Sequence, residues 1–433
     1  MALASVRRGV RSGGVGGEAV RRHRPDYKLV LFMGLLMMIG LVVMFAIGPQ
    51  RAHVLNTLTG ANIGDTFFFT RQAINLAVAT AVFMFAAFVS FEWVQRHSGK
   101  LLLVSLGSCL LLAFADVVGW GIAQESLGAT RWLDFGFVTM QPSEFLKFGL
   151  LVFLAGFLGR RMKAGEQNDL HKTLIPFGII SAVVMIIVVL LQKDMGTGIS
   201  IVAILLTMLF VAQVRLKTMG MIVGGLILAM ILMIAIAPHR VARVATFMAG
   251  DSASVEDAGG YHIAHAKIAI GSGGFTGVGI GNSVQATGYL PEAINDSVFA
   301  IMGETFGFIG LVVILLLFAA LLIRLVRLTD RLPDFRMRLL AAGVFGWLAS
   351  HIFLNIAAMI GLVPLTGITL PLLSYGGTSM VFIAAALGLA FQVSRYTSHR
   401  SNSNLKEPRY ANPSSRRGIG RPRHTGRRGT TRA

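Results

Sequence analysis

Three acidic residues mark the stretch of the chain that is best suited to chemistry. Glu292, Asp296 and Glu304 lie in the run 281–307, where a polar, glycine-bearing loop leads into an apolar helix. If the segment from residue 291 onward is helical, Glu292 and Asp296 are four residues apart and share a face, with Glu304 two turns further along. Inserting an ionisable side chain at membrane depth costs on the order of 3 kcal/mol or more, so such residues indicate a functional site.

The overall composition places these acids in a membrane protein. Hydrophobic residues make up 54% of the 433 residues and charged residues only 14%, against roughly 25% charged residues in a soluble domain. The formal net charge of +19 would suggest nucleic-acid binding, but most basic residues flank apolar segments or lie in the two tails. The single cysteine, Cys109, lies in an apolar run and predicts neither a disulfide nor a cysteine metal site.

Ten apolar segments approach the roughly 20 residues that a helix needs to cross a bilayer. The first follows a basic stretch without a small-residue cleavage site, which predicts an uncleaved helix. We therefore expect an all-α, polytopic integral membrane protein with ten transmembrane helices. The predicted segments are 29–48, 67–91, 101–118, 142–159, 173–191, 197–213, 218–238, 297–323, 339–360 and 377–394.

Basic residues cluster in alternate connections, which predicts the orientation of the helices. Most of the 39 lysines and arginines fall on the cytoplasmic side if both termini are cytoplasmic. A membrane domain is then expected at 28–395, between basic, disordered tails at 1–27 and 396–433 that are attracted to anionic membrane lipids. We expect no nucleic-acid partner for these tails. The large extracellular loop 239–296 joins helices 7 and 8, so the acidic stretch faces outward.

This outer loop contains a glycine-rich run at 271–282, which has two interpretations. It fits a flexible linker or, with the preceding apolar pattern at 261–270, an amphipathic segment on the membrane surface. It lacks the lysine and the preceding strand of a phosphate-binding loop.

Histidines form two further patterns. His262 and His265 are three residues apart in the outer loop, and without a matching carboxylate they are weak support for zinc. His351 and Asn355 are four residues apart in the ninth predicted helix, where interhelical hydrogen bonds are the default expectation.

Three other polar clusters lie at predicted outer helix ends. In the first, Glu144 lies in the first turn of a helix, and Lys147 fits either an ion pair with Glu144 or an anion-binding role together with Arg131. In the second, Asp194 is expected to cap a helix in preference to contacting a ligand. In the third, Ser374 and its neighbours offer hydroxyls and amides that fit an anion-binding nest or close helix packing.

Together and in order, these motifs are highly specific, although each is modest alone. The chain resembles the SEDS family of bacterial cell-wall proteins, the FtsW/RodA/SpoVE group, over roughly residues 25–395. The resemblance rests on Arg131-Trp132, Gln141-Pro142-Ser143-Glu144, Lys147, Asp194-x-Gly196-Thr197, Lys267-Ile-Ala-Ile-Gly271-Ser-Gly-Gly274, Tyr289-Leu-Pro291-Glu292-x-x-x-Asp296 and Ser374-Tyr375-Gly376-Gly377.

The resemblance implies a peptidoglycan glycosyltransferase that polymerises lipid II on the outer face of the bacterial cytoplasmic membrane, paired with a class B penicillin-binding transpeptidase. It maps the essential acid of the family onto Asp296, which would act as general base on the acceptor sugar hydroxyl. It implies no organic cofactor, and the sequence indicates no metal site, although a divalent cation at the pyrophosphate would be compatible. The residues expected to bind substrate are Arg131, Lys147, Glu292, Lys267, Asp194 and Ser374, with Arg240 or Arg243 as weaker choices.

The residues around Asp296 also show which branch is closest and where the chain departs from the family. The run Gly-Asn-Ser-Val-Gln followed by Tyr-Leu-Pro-Glu-Ala is more similar to the cell-division branch than to the elongation branch. Ile294-Asn295 replace a usual His-Thr, Ser297-Val298 replace Phe-Ile, and His262 replaces a glutamine.

Two alternatives to the transferase remain. A transporter of lipid II or another amphiphile would also place charges and glycines at helix ends, but the chain shows no convincing internal repeat, and its polar residues collect on one side. A non-catalytic scaffold for a transpeptidase is suggested only by the altered surroundings of Asp296.

Overall fold

The computed structural model describes residues 24–126, 129–136, 139–236, 241, 245, 247–248 and 258–396. Eleven helices in these ranges follow one another along the chain, with π-helical turns at both ends of α5. They are α1 Tyr27–Thr59, α2 Phe67–Phe88, α3 Phe91–Val118, α4 Pro142–Lys163, α5 Leu170–Leu191, α6 Met195–Val211, α7 Leu216–Ile236, α8 Ala258–Ser272, α9 Val298–Arg331, α10 Phe335–Met359 and α11 Gly377–Val393.

Ten of these helices overlap the ten apolar segments predicted from the sequence, although α1 extends to Thr59 and α3 already begins at Phe91, and α8 is the additional one. Among the described residues, eight helices are long and apolar enough to cross a membrane, namely α1–α5 and α9–α11. Two others, α6 and the apolar part of α7 at Leu216–Ala229, are shorter. A mostly helical, polytopic membrane protein is thus confirmed. The membrane crossing of α6 and α7, the sidedness and the division into domain and tails stay predictions, and residues 1–23 and 397–433 lie outside the described ranges.

Three helices form the centre of the bundle. In the most apolar windows of α4, α10 and α11, 78%, 72% and 83% of the residues are buried, against 28% in α2, α3 and α9. Gly343 of α10 leaves room for the Leu151 side chain of α4, because a Cβ atom there would lie 2.1 Å from Leu151. Large apolar side chains of the outer helices, such as Phe85 and Leu316, are exposed, as expected of surfaces that face lipid.

The glycine-rich run fills a break in α9. Gly307, inside this helix, has φ 65° and ψ −167°, which interrupts the helical hydrogen bonds. Two carbonyls before the break accept hydrogen bonds from the amides of Val278 and Gly279, and two amides after it donate to the carbonyls of Gly274 and Phe275. The run is therefore an ordered segment packed on α9, which disfavours the linker interpretation.

The segment 291–297 is not the helix that the sequence suggested. It forms successive turns, and α9 begins only at Val298. Glu292 adopts a left-handed φ of 50°, and its carbonyl accepts hydrogen bonds from the amides of Asn295 and Ser297 at 2.9 and 3.2 Å. Because these bonds curl the backbone back on itself, the two acids of the segment do not share a helix face.

A small antiparallel sheet between α3 and α4 was also missing from the all-α prediction. Its strands are β1 Ala123–Ser126, β2 Ala129–Asp134 and β3 Thr139–Met140, in the order β1-β2-β3. Strands of 4, 6 and 2 residues are too short for an alternating pattern to be recognised in the sequence.

Candidate active site around Asp296

Asp296 lies at the end of the turn segment 291–297, directly before α9. The residue is partly exposed, but its Oδ1 atom is buried and accepts no hydrogen bond from the described residues. Two other elements hold the backbone around it. The Asn355 side chain of α10 donates to the Asp296 carbonyl at 2.7 Å, and the Tyr375 amide donates to the Ile294 carbonyl at 2.8 Å. The backbone is therefore fixed on two sides of the carboxylate.

A histidine of α8 contacts the same segment. The His262 Nε2 atom lies 2.6 Å from the Ser297 Oγ atom, and that hydroxyl donates to the Pro291 carbonyl at 2.8 Å. The other histidine of the pair, His265, lies 2.7 Å from the Gln285 Oε1 atom through its Nδ1 atom. The two rings thus contact different partners, and His262 links α8 to both ends of the segment.

The surroundings of Asp296 favour its protonated form. Burial raises its pKa to about 7, and the negative charge of Glu292 acts in the same direction. The backbone amides of Asp296 and Ser297 have the opposite effect, because they stabilise the carboxylate. A carboxyl group with a pKa near neutrality can take up and release a proton at physiological pH, which suits general base catalysis.

Lys147 belongs to a closed cluster inside the bundle. Its Nζ atom lies 2.7 Å from Glu144 Oε1, 3.0 Å from His351 Nε2 and 5.1 Å from the centre of the Trp347 ring. Trp347 also donates to His351 Nε2 at 3.1 Å. Since lysine and tryptophan only donate, His351 accepts at Nε2 and carries its proton on Nδ1. The predicted pair with Glu144 is confirmed, and with Lys147 0% exposed a phosphate cannot reach it in this conformation.

Asp194 caps α6, as the sequence predicted. Its two carboxylate oxygens accept hydrogen bonds from the Thr197 amide at 3.0 Å and the Thr197 hydroxyl at 2.8 Å. The Gln141 side chain donates to the same carboxylate at 3.2 Å. Arg131 of β2 donates to the Lys193 carbonyl at 3.1 Å. The first two predicted clusters therefore meet at the start of α6, and Arg131 remains partly exposed there.

Ser374 and Lys267, two further residues predicted to bind substrate, differ in exposure. The Ser374 hydroxyl is buried and accepts the Leu370 amide at 2.8 Å, a local role that stabilises the turn before α11. Lys267 is exposed on α8, with its side chain beside Gly361, where an added Cβ atom would lie 2.9 Å from Lys267 Cε. Lys267 is therefore the more accessible of the two.

Glu304 is bound within the fold. Only 2% of its surface is exposed. Its carboxylate accepts hydrogen bonds from the Ser283 hydroxyl and from the amides of Val284 and Gln285. It anchors the loop between the glycine-rich run and the Asp296 segment.

Sequence reasoning missed three partners of the Asp296 segment. His262 and Ser297 are both positions where the chain departs from the family pattern, which was the available signal. Asn355 was predicted to form an interhelical hydrogen bond, but it donates instead to two carbonyls outside the helices, those of Asp296 and Ile368, each at 2.7 Å. Arg240 and Arg243 lie outside the described residues.

The fold and the site define a polytopic membrane protein with a partly exposed acid in a connection between helices. The model of the cell cycle protein family FtsW/RodA/SpoVE matches residues 27–399. The chain belongs to this family.

Individual relatives agree with this assignment. The chain is 33% identical over 387 residues to stage V sporulation protein E of Bacillus subtilis (strain 168), covering 87% of this chain and 99% of the relative. It is 35% identical over 401 residues to the probable peptidoglycan glycosyltransferase FtsW of Thiomicrospira cyclica, covering 90% and 96%.

Solved structures share the fold. A chain from the structure described as "Structural coordination of polymerization and crosslinking by a peptidoglycan synthase complex" matches with a TM-score of 0.65 and 25% identity over 86% of this chain and 99% of that chain. The crystal structure of the Thermus thermophilus rod shape determining protein RodA matches with a TM-score of 0.59 and 22% identity over 87% and 98%, which supports the fold alone.

Proposed function

We propose that the protein is a peptidoglycan glycosyltransferase that polymerises lipid II, with Asp296 as the general base. Relatives named as probable peptidoglycan glycosyltransferases FtsW support the enzyme class, and they favour the cell-division branch. The observation that carries the role of Asp296 is its carboxylate, which is partly exposed, has one oxygen without a partner among the described residues, and has a pKa raised to about 7.

In the proposed step the Asp296 carboxylate takes the proton of the acceptor sugar hydroxyl. The hydroxyl oxygen then forms a bond to the anomeric carbon of the donor, and the bond from that carbon to the lipid pyrophosphate breaks, so the pyrophosphate leaves with the electron pair. Cations stabilise the charge that develops on the leaving group. The exposed Lys267 and the partly exposed Arg131 suit this role, and the step requires no organic cofactor.

The buried Lys147 has a different part in this proposal. Its ammonium group is buried and bound by Glu144 and His351, and His351 lies one turn from Asn355 on α10. Since Asn355 donates to the Asp296 carbonyl, the Lys147 cluster supports the helix that holds the base. We therefore propose an indirect role for Lys147 in place of direct pyrophosphate binding.

The test is lipid II polymerisation by the purified protein, with and without a cognate class B transpeptidase. The similarity to a chain from a peptidoglycan synthase complex supports including that partner. Asp296→Asn is expected to reduce the rate by about 10²–10⁴-fold, the usual contribution of a general base. Asp65→Asn, an exposed acid between α1 and α2, is the matched control and should retain wild-type activity.

The outcomes separate the transferase from the alternatives. Glycan product that requires Asp296 supports the proposal. Product from neither protein, with a partner present and folding confirmed, contradicts it. Lipid II movement across vesicle membranes would then favour a transporter, and undiminished transpeptidase recruitment would favour a scaffold.

The proposed sidedness can be tested with the single cysteine of the chain. Cys109 is buried, so a Cys109→Ser background accepts new reporter cysteines. Thr287→Cys and Ala164→Cys place them at exposed positions before the Asp296 segment and after α4. We expect a membrane-impermeant maleimide to label Thr287→Cys in intact cells and Ala164→Cys only after permeabilisation. The reverse pattern would contradict an outward-facing site.

A further inference from the structure

The strongest unassigned feature is the contact between His262 and Ser297. Both side chains are buried, with 8% and 0% of their surfaces exposed. The Nε2 to Oγ distance is 2.6 Å, and the Ser297 hydroxyl donates to the Pro291 carbonyl at 2.8 Å. A hydroxyl has one proton to donate. Because that proton is directed at Pro291, His262 is the donor to Ser297 and carries its ring proton on Nε2.

This arrangement joins the two ends of the segment that carries the base. Pro291 opens the segment and Ser297 closes it, so one serine hydroxyl sets the distance between its ends. His262 reaches that hydroxyl from α8, a different helix 35 residues earlier in the chain. The segment is therefore held from α8, in addition to its contacts with α10 and with the residues before α11.

The groups around the Asp296 carboxylate come from several elements. Glu292 lies on the same segment and contributes a negative charge. From α8 comes His262, whose pKa is lowered to about 4 by burial, against a smaller opposing effect of Glu292. From α10 comes the uncharged Asn355, which binds the Asp296 backbone. Since His262 is neutral above about pH 4, titration near neutrality reports Asp296 and not the histidine.

We propose that His262 and Ser297 are positioning residues for Asp296, and that the His262–Ser297–Pro291 chain of hydrogen bonds holds the carboxylate where it takes the acceptor proton. The inference rests on the proposed glycosyltransferase function. The backbone amide of Ser297 also lowers the pKa of Asp296. The position of the base thus depends on one buried serine and on the histidine that orients it.

The test compares three single variants with the wild-type protein and its transpeptidase partner. Ser297→Ala removes the hydroxyl, His262→Leu removes the donor, and His262→Gln keeps an N–H donor at a similar reach. For each protein, kcat and KM for lipid II are measured between pH 5 and pH 9, together with the thermal unfolding midpoint in detergent.

A positioning role predicts a specific pattern. Ser297→Ala and His262→Leu should lower kcat by about ten- to a hundredfold, the size of effect that a misplaced reactive group produces, while KM stays unchanged. His262→Gln should have most of the wild-type kcat. The double variant His262→Leu/Ser297→Ala should have a kcat no lower than that of Ser297→Ala alone, because both substitutions break the same hydrogen bond.

Each other outcome overturns the inference. If kcat stays at the wild-type value while only the unfolding midpoint falls, the contact is merely structural. If Ser297→Ala does not fold, the pair His262→Leu and His262→Gln decides, and equal activity of these two variants refutes the role of the donor. An inactive wild-type protein, or a fully active Asp296→Asn variant, refutes the proposed function itself and is recognised by those two controls.

Discussion

Two polar clusters lie one turn apart on α10, and they differ in how far their charged groups are exposed. At His351, the ammonium group of Lys147 is 0% exposed and contacts a carboxylate, an imidazole and an indole ring. At Asn355, the α10 side chain binds the backbone carbonyls of Asp296 and Ile368. The Asp296 carboxylate is left partly exposed, with Oδ1 lacking a partner among the described residues.

The difference shows why an intramembrane charge is an ambiguous functional signal. Both Lys147 and Asp296 are ionisable residues in apolar surroundings, which by default indicates function. A charge that is paired inside the bundle contributes to the fold, and removing one member leaves the other buried and unpaired. A partly exposed charge without such a pair keeps the capacity to bind a proton or a substrate. We therefore expect Lys147 to serve the fold, in contrast to the chemical role proposed for Asp296.

The largest expected effect on stability comes from breaking the closed cluster. Lys147→Met leaves Glu144 buried without its partner and should cost about 3–5 kcal/mol of unfolding free energy. The measurement is the unfolding midpoint in detergent together with the yield of folded protein. The double variant Lys147→Met/Glu144→Gln should be more stable than the single one, because no unpaired charge remains. A Lys147→Met protein that is stable yet inactive would instead return Lys147 to the substrate site.

A second closed region, the glycine-rich run on the α9 break, gives the next largest effect. A Cβ atom at Gly277 would lie 2.2 Å from the Thr305 carbonyl oxygen, and its φ is 83°. Gly277→Ala should therefore lower the free energy of unfolding by about 2–4 kcal/mol, from backbone strain and steric overlap together. Gly281 is the matched control, because it has φ 84° and no atom within 4 Å of an added Cβ. Gly281→Ala should lower the free energy of unfolding by the backbone strain alone. Equal unfolding midpoints for the two variants would show that the run is not packed on α9.

A smaller effect is expected at the cap of α6. Asp194→Ala removes the acceptor for the amide and the hydroxyl of Thr197. It should lower the free energy of unfolding by about 0.5–2 kcal/mol, the usual contribution of a helix N-cap. Polymerisation by the folded variant should stay near the wild-type rate. Loss of activity without loss of stability would show that Asp194 contacts substrate, as the family resemblance implied.

These regions also differ in how well their structures could be predicted from the sequence. Positions of the apolar helices follow from hydropathy alone, since about 20 apolar residues in a row have few other structures available to them. The Lys147–Glu144 pair and the Asp194 cap were predictable because both depend on spacing within one helix or its first turn. Local rules of this kind need no knowledge of the rest of the fold.

The Asp296 segment was less predictable because its conformation depends on distant residues. Helical spacing suggested that Glu292 and Asp296 share a face, but the left-handed φ of Glu292 and the contacts from His262, Asn355 and Tyr375 give turns instead. Those contacts join residues that are far apart in the chain, and no periodic pattern encodes them. The short strands β1–β3 were missed because so few residues carry no recognisable alternation.

The smallest predicted effect concerns the charge of Glu292, and its sign distinguishes the roles of the two acids. Because the negative charge of Glu292 raises the pKa of Asp296, Glu292→Gln should lower that pKa, and Asp296 then stays ionised to lower pH. The acid limb of the pH–rate profile should move down by less than about one pH unit. The amide oxygen of the substituted side chain can still accept the hydrogen bond that Asn295 donates to the Glu292 carboxylate, so the turn is retained.

Asp330→Asn is the matched control for this shift. It removes the same charge from an exposed position near the far end of the 34-residue helix α9, where the field at Asp296 is screened, and its profile should coincide with the wild-type profile. An acid limb that moves upward in Glu292→Gln, or that moves equally in both variants, would mean that the titrating group is not Asp296. A downward shift confined to Glu292→Gln would instead tie the pH dependence of the rate to the partly exposed carboxylate of Asp296.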